Sequence, residues 1–130
     1  MILILTVGFL SVLAHAAEKE VLILRSQGRV DQVPITTING VQLSENCAQS
    51  GVKCLALKSA HAISAEALQK ATNQEKPHYQ FPVQSLACRA AGGDAVILSD
   101  SKLNQTDFCA FPDRSFIRSM DLLVSEKPGR

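Results

Sequence analysis

Apolar and polar positions fall in short blocks along the chain, and these predict short elements instead of long ones. Residues 21–24 form a continuous apolar run ending at Arg25, with Gly28 as a break soon after, which predicts a short buried strand. Residues 34–44 carry the clearest local signal of the first half. β-Branched residues flank Asn39 and Gly40, and this pair tolerates the positive φ angles of a type I′ turn, so the segment predicts a β-hairpin. Residues 44–51 are polar and turn-like, and residues 52–57 predict another short strand. From Ser59 onward Ala60, Ile63, Ala67, Leu68 and Ala71 recur at helical spacing, with Glu66 and Lys70 four apart. Asn73 and Pro77 end that predicted helix.

Residues 73–77 are wholly polar and close on a proline that disfavours helix in the residue before it, which marks a boundary. It divides the chain into a leader at 1–16, a β/α region at 17–76 and a C-terminal module at 77–130. Beyond the leader, every aromatic residue lies after this boundary, at Tyr79, Phe81, Phe108, Phe111 and Phe116, so the larger packing contacts are expected there. Residues 83–91 predict a short helix after Pro82, stopped by Gly92 and Gly93. A buried strand at 95–98, a polar loop at 99–107, a second strand at 108–111 and a turn at 112–115 follow. Phe116 and an apolar run at 122–124 close the pattern. The expected fold class is α+β: a small disulfide-braced domain with a short helix packed on an antiparallel β-hairpin or small sheet, preceded by the β/α N-terminal half.

The first sixteen residues contain no Asp, Glu, Lys or Arg and run apolar over 2–13 before reaching Ala14, His15 and Ala16. That run is shorter than the roughly 20 residues needed to cross a bilayer, and the two alanines suit a signal peptidase. The segment predicts a secretory signal peptide and a periplasmic or secreted product. No later stretch is long and apolar enough for a transmembrane span.

Export sets the reading of Cys47, Cys54, Cys88 and Cys109, an even set for which disulfides are the default in an oxidising compartment. Four cysteines allow three pairings. Chain proximity favours Cys47 with Cys54 and Cys88 with Cys109, whereas the crossed pairings would tie the two halves together. A Cys88 to Cys109 loop would contribute about 3 kcal/mol by the loop-entropy model, a large share for so small a domain.

Charge removes one class of function. With 13 Lys plus Arg against 12 Asp plus Glu the net charge is +1, so the chain lacks the basic excess of nucleic-acid binders, and no nucleic-acid partner is expected. His61 and His78 are the histidines beyond the leader; they have no paired metal-binding spacing, and the cysteines show no Cys-x-x-Cys. Asp94, Asp100, Asp107 and Asp113 are dispersed without the alternating acidic spacing of a calcium loop, and read as solvated carboxylates. Gly92 and Gly93 follow a helix instead of preceding one, so they read as a helix stop and not as a phosphate cradle. No metal or cofactor is expected, and no acid, base and nucleophile lie together to support catalysis.

One stretch resembles a known family. Cys88 followed by Gly92 and Gly93, then Cys109, Phe111, Pro112, Asp113 and Leu122, is similar to the small bacterial haemolysin-labelled family also known as domain of unknown function 333. The resemblance covers roughly residues 82–124. The chain departs from the family pattern at Arg114, where Gly is usual, at Ile117, where many members have a third Cys, and at Met120, where Trp is usual. The resemblance implies an exported bacterial protein without an assigned biochemical activity, and absence of the third Cys leaves Cys88 and Cys109 as the natural pair.

Two functional expectations follow. The first is a non-catalytic envelope or secreted recognition module that presents the loops 99–107, with Lys102, and 112–115, with Asp113, Arg114 and Ser115, to a protein or glycan partner, since binding often resides on loops fixed by a rigid scaffold. The alternative is a secreted protease inhibitor, with the 112–115 loop held extended in a protease cleft and Arg114 entering an acidic specificity pocket.

Overall fold

A computed structural model describes residues 19–49, 53–64, 66, 68, 70 and 83–124. The predicted leader, residues 73–77, His78, Tyr79, Phe81 and the helix positions Ala67 and Ala71 lie outside the described residues. Strand β1 (Lys19–Ser26) pairs with β2 (Arg29–Ile38), and β2 with β3 (Val41–Ser44), all antiparallel. A 3-10 turn, Glu45–Ala48, and helix α1 (Leu55–Ser59) follow, then helix α2 (Val83–Ala90). Strands β4 (Asp94–Ser99), β5 (Gln105–Ala110) and β6 (Phe116–Arg118) lead into a second 3-10 turn, Ser119–Leu122.

The strands close into an antiparallel barrel in the order β1-β2-β3-β6-β5-β4. This corrects the expected helix-on-hairpin α+β arrangement. Two long-range seams make the difference: β1 meets β4 at Ile23 with Ser99 and Leu24 with Leu98, and β3 meets β6 at Leu43 with Ile117. Strands from both sides of residues 73–77 therefore share one sheet. Closure satisfies backbone groups that open edge strands would leave exposed.

Alternation along each strand splits the apolar residues between two cores. Leu22, Val33, Ile35, Leu98 and Phe108 fill the barrel, with Leu24, Val96 and Phe116 packed against them. On the other face of β3, β5 and β6, Val41, Leu43, Cys109 and Ile117 meet Ala87 and Cys88 of α2 together with Ile63, Leu122 and Phe111. Two disulfides, Cys47–Cys54 and Cys88–Cys109, join this second core, the latter tying α2 to β5.

The Asn39–Gly40 hairpin forms as expected, with φ of 50° and 80°. An equivalent turn at Gln27 and Gly28, with φ of 49° and 78°, joins β1 to β2. The helix over 83–90 also forms, and Gly92 at φ 87° ends it. Gly93 has a further role: a Cβ there would collide with the Cys109 sulfur and sit 2.9 Å from the Ala110 carbonyl oxygen.

Other expectations are corrected. The apolar runs at 21–24 and 95–98 are strands buried on one face only, with Val21 and Ile97 about half exposed, because a barrel wall turns one face to water. The polar loop is shorter than expected. Gln105–Ala110 is strand, its polar residues Gln105, Thr106 and Asp107 pairing with Ser99, Leu98 and Ile97. The strand expected at 52–57 is replaced by α1, since the Cys54 sulfur accepts the Leu57 amide as a cap and a distant turn satisfies Leu55 and Ala56. The helix expected from Ser59 does not start there. His61 takes φ 53° and Ile63 bridges to Leu123, while Glu66, Leu68 and Lys70 are helical.

Candidate functional site

Successive antiparallel strands alternate the barrel's connections between its two ends. The 112–115 turn follows β5, whereas residues 100–104 precede it, so the structure places the two predicted binding loops at opposite ends of that strand. Lys102 and the residues Asp113, Arg114 and Ser115 are therefore not brought together.

The 112–115 turn is held from three directions. Within the turn, the Arg114 amide donates to the Phe111 carbonyl at 3.0 Å and the Phe111 amide to the Ser115 carbonyl at 2.9 Å. From α1, the Leu55 amide donates to Asp113 Oδ2 at 2.8 Å and the Ala56 amide to Ser115 Oγ at 3.0 Å, while the Ser115 amide and hydroxyl both donate to Asp113 Oδ1. From the first 3-10 turn, Asn46 Nδ2 donates to the Arg114 carbonyl at 3.2 Å. Leu55 directly follows Cys54 and Asn46 directly precedes Cys47, so the Cys47–Cys54 bridge joins the two clamping segments. Burial works against the Asp113 carboxylate, but the hydrogen bonds from Leu55 and Ser115 outweigh it and hold its pKa below the ordinary value. Asp113 and Ser115 are thus spent on holding the turn, and Ser115 is fully buried.

Arg114 is what the clamp presents. Its backbone lies at φ 63°, in the left-handed region that costs an ordinary residue about 1–2 kcal/mol, and its side chain is exposed. No hydrogen bond or ion pair of the guanidinium is found among the described residues. The turn is tight at this residue, closed by the Arg114 amide on the Phe111 carbonyl. Arg114 borders a groove of about 300 Å³ lined also by Gln32, Pro34, Asn46, Gln49 and Phe116. Glu45 lines it too, its carboxylate paired with Lys19 Nζ at 2.9 Å. Ser44 sits at the groove floor, where its hydroxyl donates to Asn46 Oδ1 at 2.6 Å and accepts the Phe116 amide at 2.9 Å.

The opposite loop is self-contained. Asp100 Oδ1 accepts the amides of Lys102 and Asn104, and Oδ2 accepts Asn104 Nδ2, each at 2.9 Å. The Asn104 side-chain hydrogen bond, followed by the backbone amides, lowers the Asp100 pKa. Lys102 and Leu103 are exposed at its tip.

Among the described residues no three His, Cys, Asp or Glu side chains gather as a metal site, and all four cysteines are in disulfides. His61 Nδ1 lies 3.0 Å from the Leu123 carbonyl oxygen, beside a backbone bridge. No helix among the described residues is long and apolar enough to cross a membrane. Sequence reading missed Gln32, Asn46 and Gln49, because a neutral amide in a strand or polar turn carries no pattern of its own. It also missed Asp121, which accepts from Arg118 Nε and Nη2 at 3.1 and 2.8 Å and from the Gln42 amide at 2.9 Å, locking β3 to β6.

No family model, curated protein or solved structure matches this chain.

Proposed function

We propose that this protein is an exported, non-catalytic recognition module whose binding face is the groove beside Arg114, and that its partner is a protein or glycan outside the cytoplasm. One observation carries the reading: a clamped turn holds a non-glycine residue at positive φ at the mouth of a groove, its guanidinium without a hydrogen bond or ion pair among the described residues. Backbone strain persists where the surroundings over-determine it, and such positions concentrate at functional sites. Glycine would relieve that strain, and of the five described non-glycine residues at positive φ Arg114 is the one that borders this groove. Two disulfides agree with an oxidising compartment.

The test uses a photo-crosslinking side chain at Gln49, with wild type and Arg114→Gly compared against an envelope preparation. The reading expects a discrete adduct in wild type that Arg114→Gly abolishes while both disulfides stay intact. Equal adducts in the two proteins would overturn it.

A further inference from the structure

We infer that the groove beside Arg114 takes a single carboxylate-bearing sugar unit of the hexuronic-acid class, an inference that rests on the recognition reading above. The lining supplies the three kinds of contact such a unit needs. Arg114 offers a planar fork of donors matched to a carboxylate, and no acid among the described residues occupies it. Gln32 and Gln49 are exposed amides, each with donors and an acceptor, suited to hydroxyls that both give and take hydrogen bonds. Pro34 and half-buried Phe116 provide an apolar wall for the C–H face of a ring.

Charge narrows the class further. Glu45 faces the same groove and pairs with Lys19, and among the described lining residues Arg114 is the one cation. A ligand with one negative charge per unit is matched to that lining cation, whereas a polysulfated or polyphosphorylated chain would bring further charges that no cation of the lining meets. The size agrees: about 300 Å³ lies at the small end of ligand sites, enough for a short saccharide and not for a folded surface. An acidic peptide shares the carboxylate but lacks the ring hydroxyls that the exposed Gln32 and Gln49 amides can meet.

The experiment is a titration of the full chain with tetragalacturonate, followed by calorimetry and by amide NMR shifts. A neutral galactose tetramer and tetraglutamate are the comparison probes. Shifts are expected at Gln32, Asn46, Gln49 and Arg114, with at least tenfold weaker binding of both comparison probes. Arg114→Gly should weaken tetragalacturonate binding at least tenfold, and Gln49→Ala severalfold. Arg114→Gly relieves a strained φ, and amide shifts unchanged outside the groove show that the variant is folded when its binding is measured. Equal binding of tetraglutamate, or no shift with tetragalacturonate at millimolar concentration, overturns the inference. If the neutral tetramer binds as well at the same residues, the acidic class falls while the recognition reading stands. If Arg114→Gly also leaves the Gln49 adduct unchanged, both fall.

Discussion

At Arg114, stability and presentation of the side chain pull in opposite directions. An ordinary residue at φ 63° carries strain that glycine lacks, so Arg114→Gly should raise stability by about 1 kcal/mol, partly offset by glycine's greater unfolded-state freedom. Urea denaturation checks this, and a clear loss of stability would show that the guanidinium contributes to the fold. Asp113 behaves differently because its charge holds the turn. Its folded pKa lies below the ordinary value, so its contribution is present above the unfolded aspartate pKa of about 3.9 and is lost as pH falls through the folded value. An NMR pH titration should show the Leu55 and Ser115 amide shifts moving together in acid below that unfolded value. In Asp113→Asn this coupled transition should disappear. Asp121 is the third such residue. It is buried and anchors the Gln42 amide and the Arg118 guanidinium, so Asp121→Ala should cost about 2 kcal/mol by denaturation, because buried partners are left unmet.

At the scale of elements, the junction between α2 and β4 depends on two adjacent glycines for different reasons. Gly92 is needed for its backbone angle, φ 87°, at the end of the helix. Gly93 is needed for space, because the Cys88–Cys109 bridge and the Ala110 carbonyl oxygen occupy the volume that a side chain would fill. Neither a disulfide sulfur nor a strand backbone can swing aside as a flexible side chain does. Gly93→Ala should therefore destabilise the protein by about 1–3 kcal/mol, the usual cost of overpacking, measured as a shift in urea midpoint. An unchanged midpoint would mean that α2 moves away from β5 at little cost.

Across the whole molecule, the disulfides act on different closures. Cys47 and Cys54 are 7 apart in sequence and Cys88 and Cys109 are 21 apart, so the second bridge removes more unfolded-chain freedom. The loop-entropy model assigns roughly 2.5 and 3.4 kcal/mol to them. Replacing Cys88 and Cys109 together by Ala should lower stability more than replacing Cys47 and Cys54. The Cys47–Cys54 replacement should instead loosen the Arg114 turn, because Asn46 and Leu55 both grip it from beside that bridge. Amide exchange of Arg114 and Ser115 in the two double variants distinguishes these roles, with faster exchange expected when Cys47 and Cys54 are replaced.

Local chemistry was legible wherever neighbours in the chain decide the conformation. Asn39 and Gly40 specify their turn because both tolerate positive φ, and the apolar face of residues 83–90 with a glycine behind it specifies a short helix. The favoured cysteine pairing was legible for a related reason, since each bridge closes a short loop. Barrel closure was not legible, because Leu24 meets Leu98 and Leu43 meets Ile117 across long separations that no local periodicity encodes. Residues 55–59 show the same limit. Their apolar run suits a strand, but Asp113 and Ser115 arrive from a distant turn to take the first amides of a helix. The sequence by itself determined the Asn39–Gly40 turn, the α2 helix and the turn at 112–115, since those depend on residues within a few positions of one another. Only the tertiary structure decided that Asp113 and Ser115 clamp the turn while Arg114 is displayed, because that division of labour depends on which distant amides reach them.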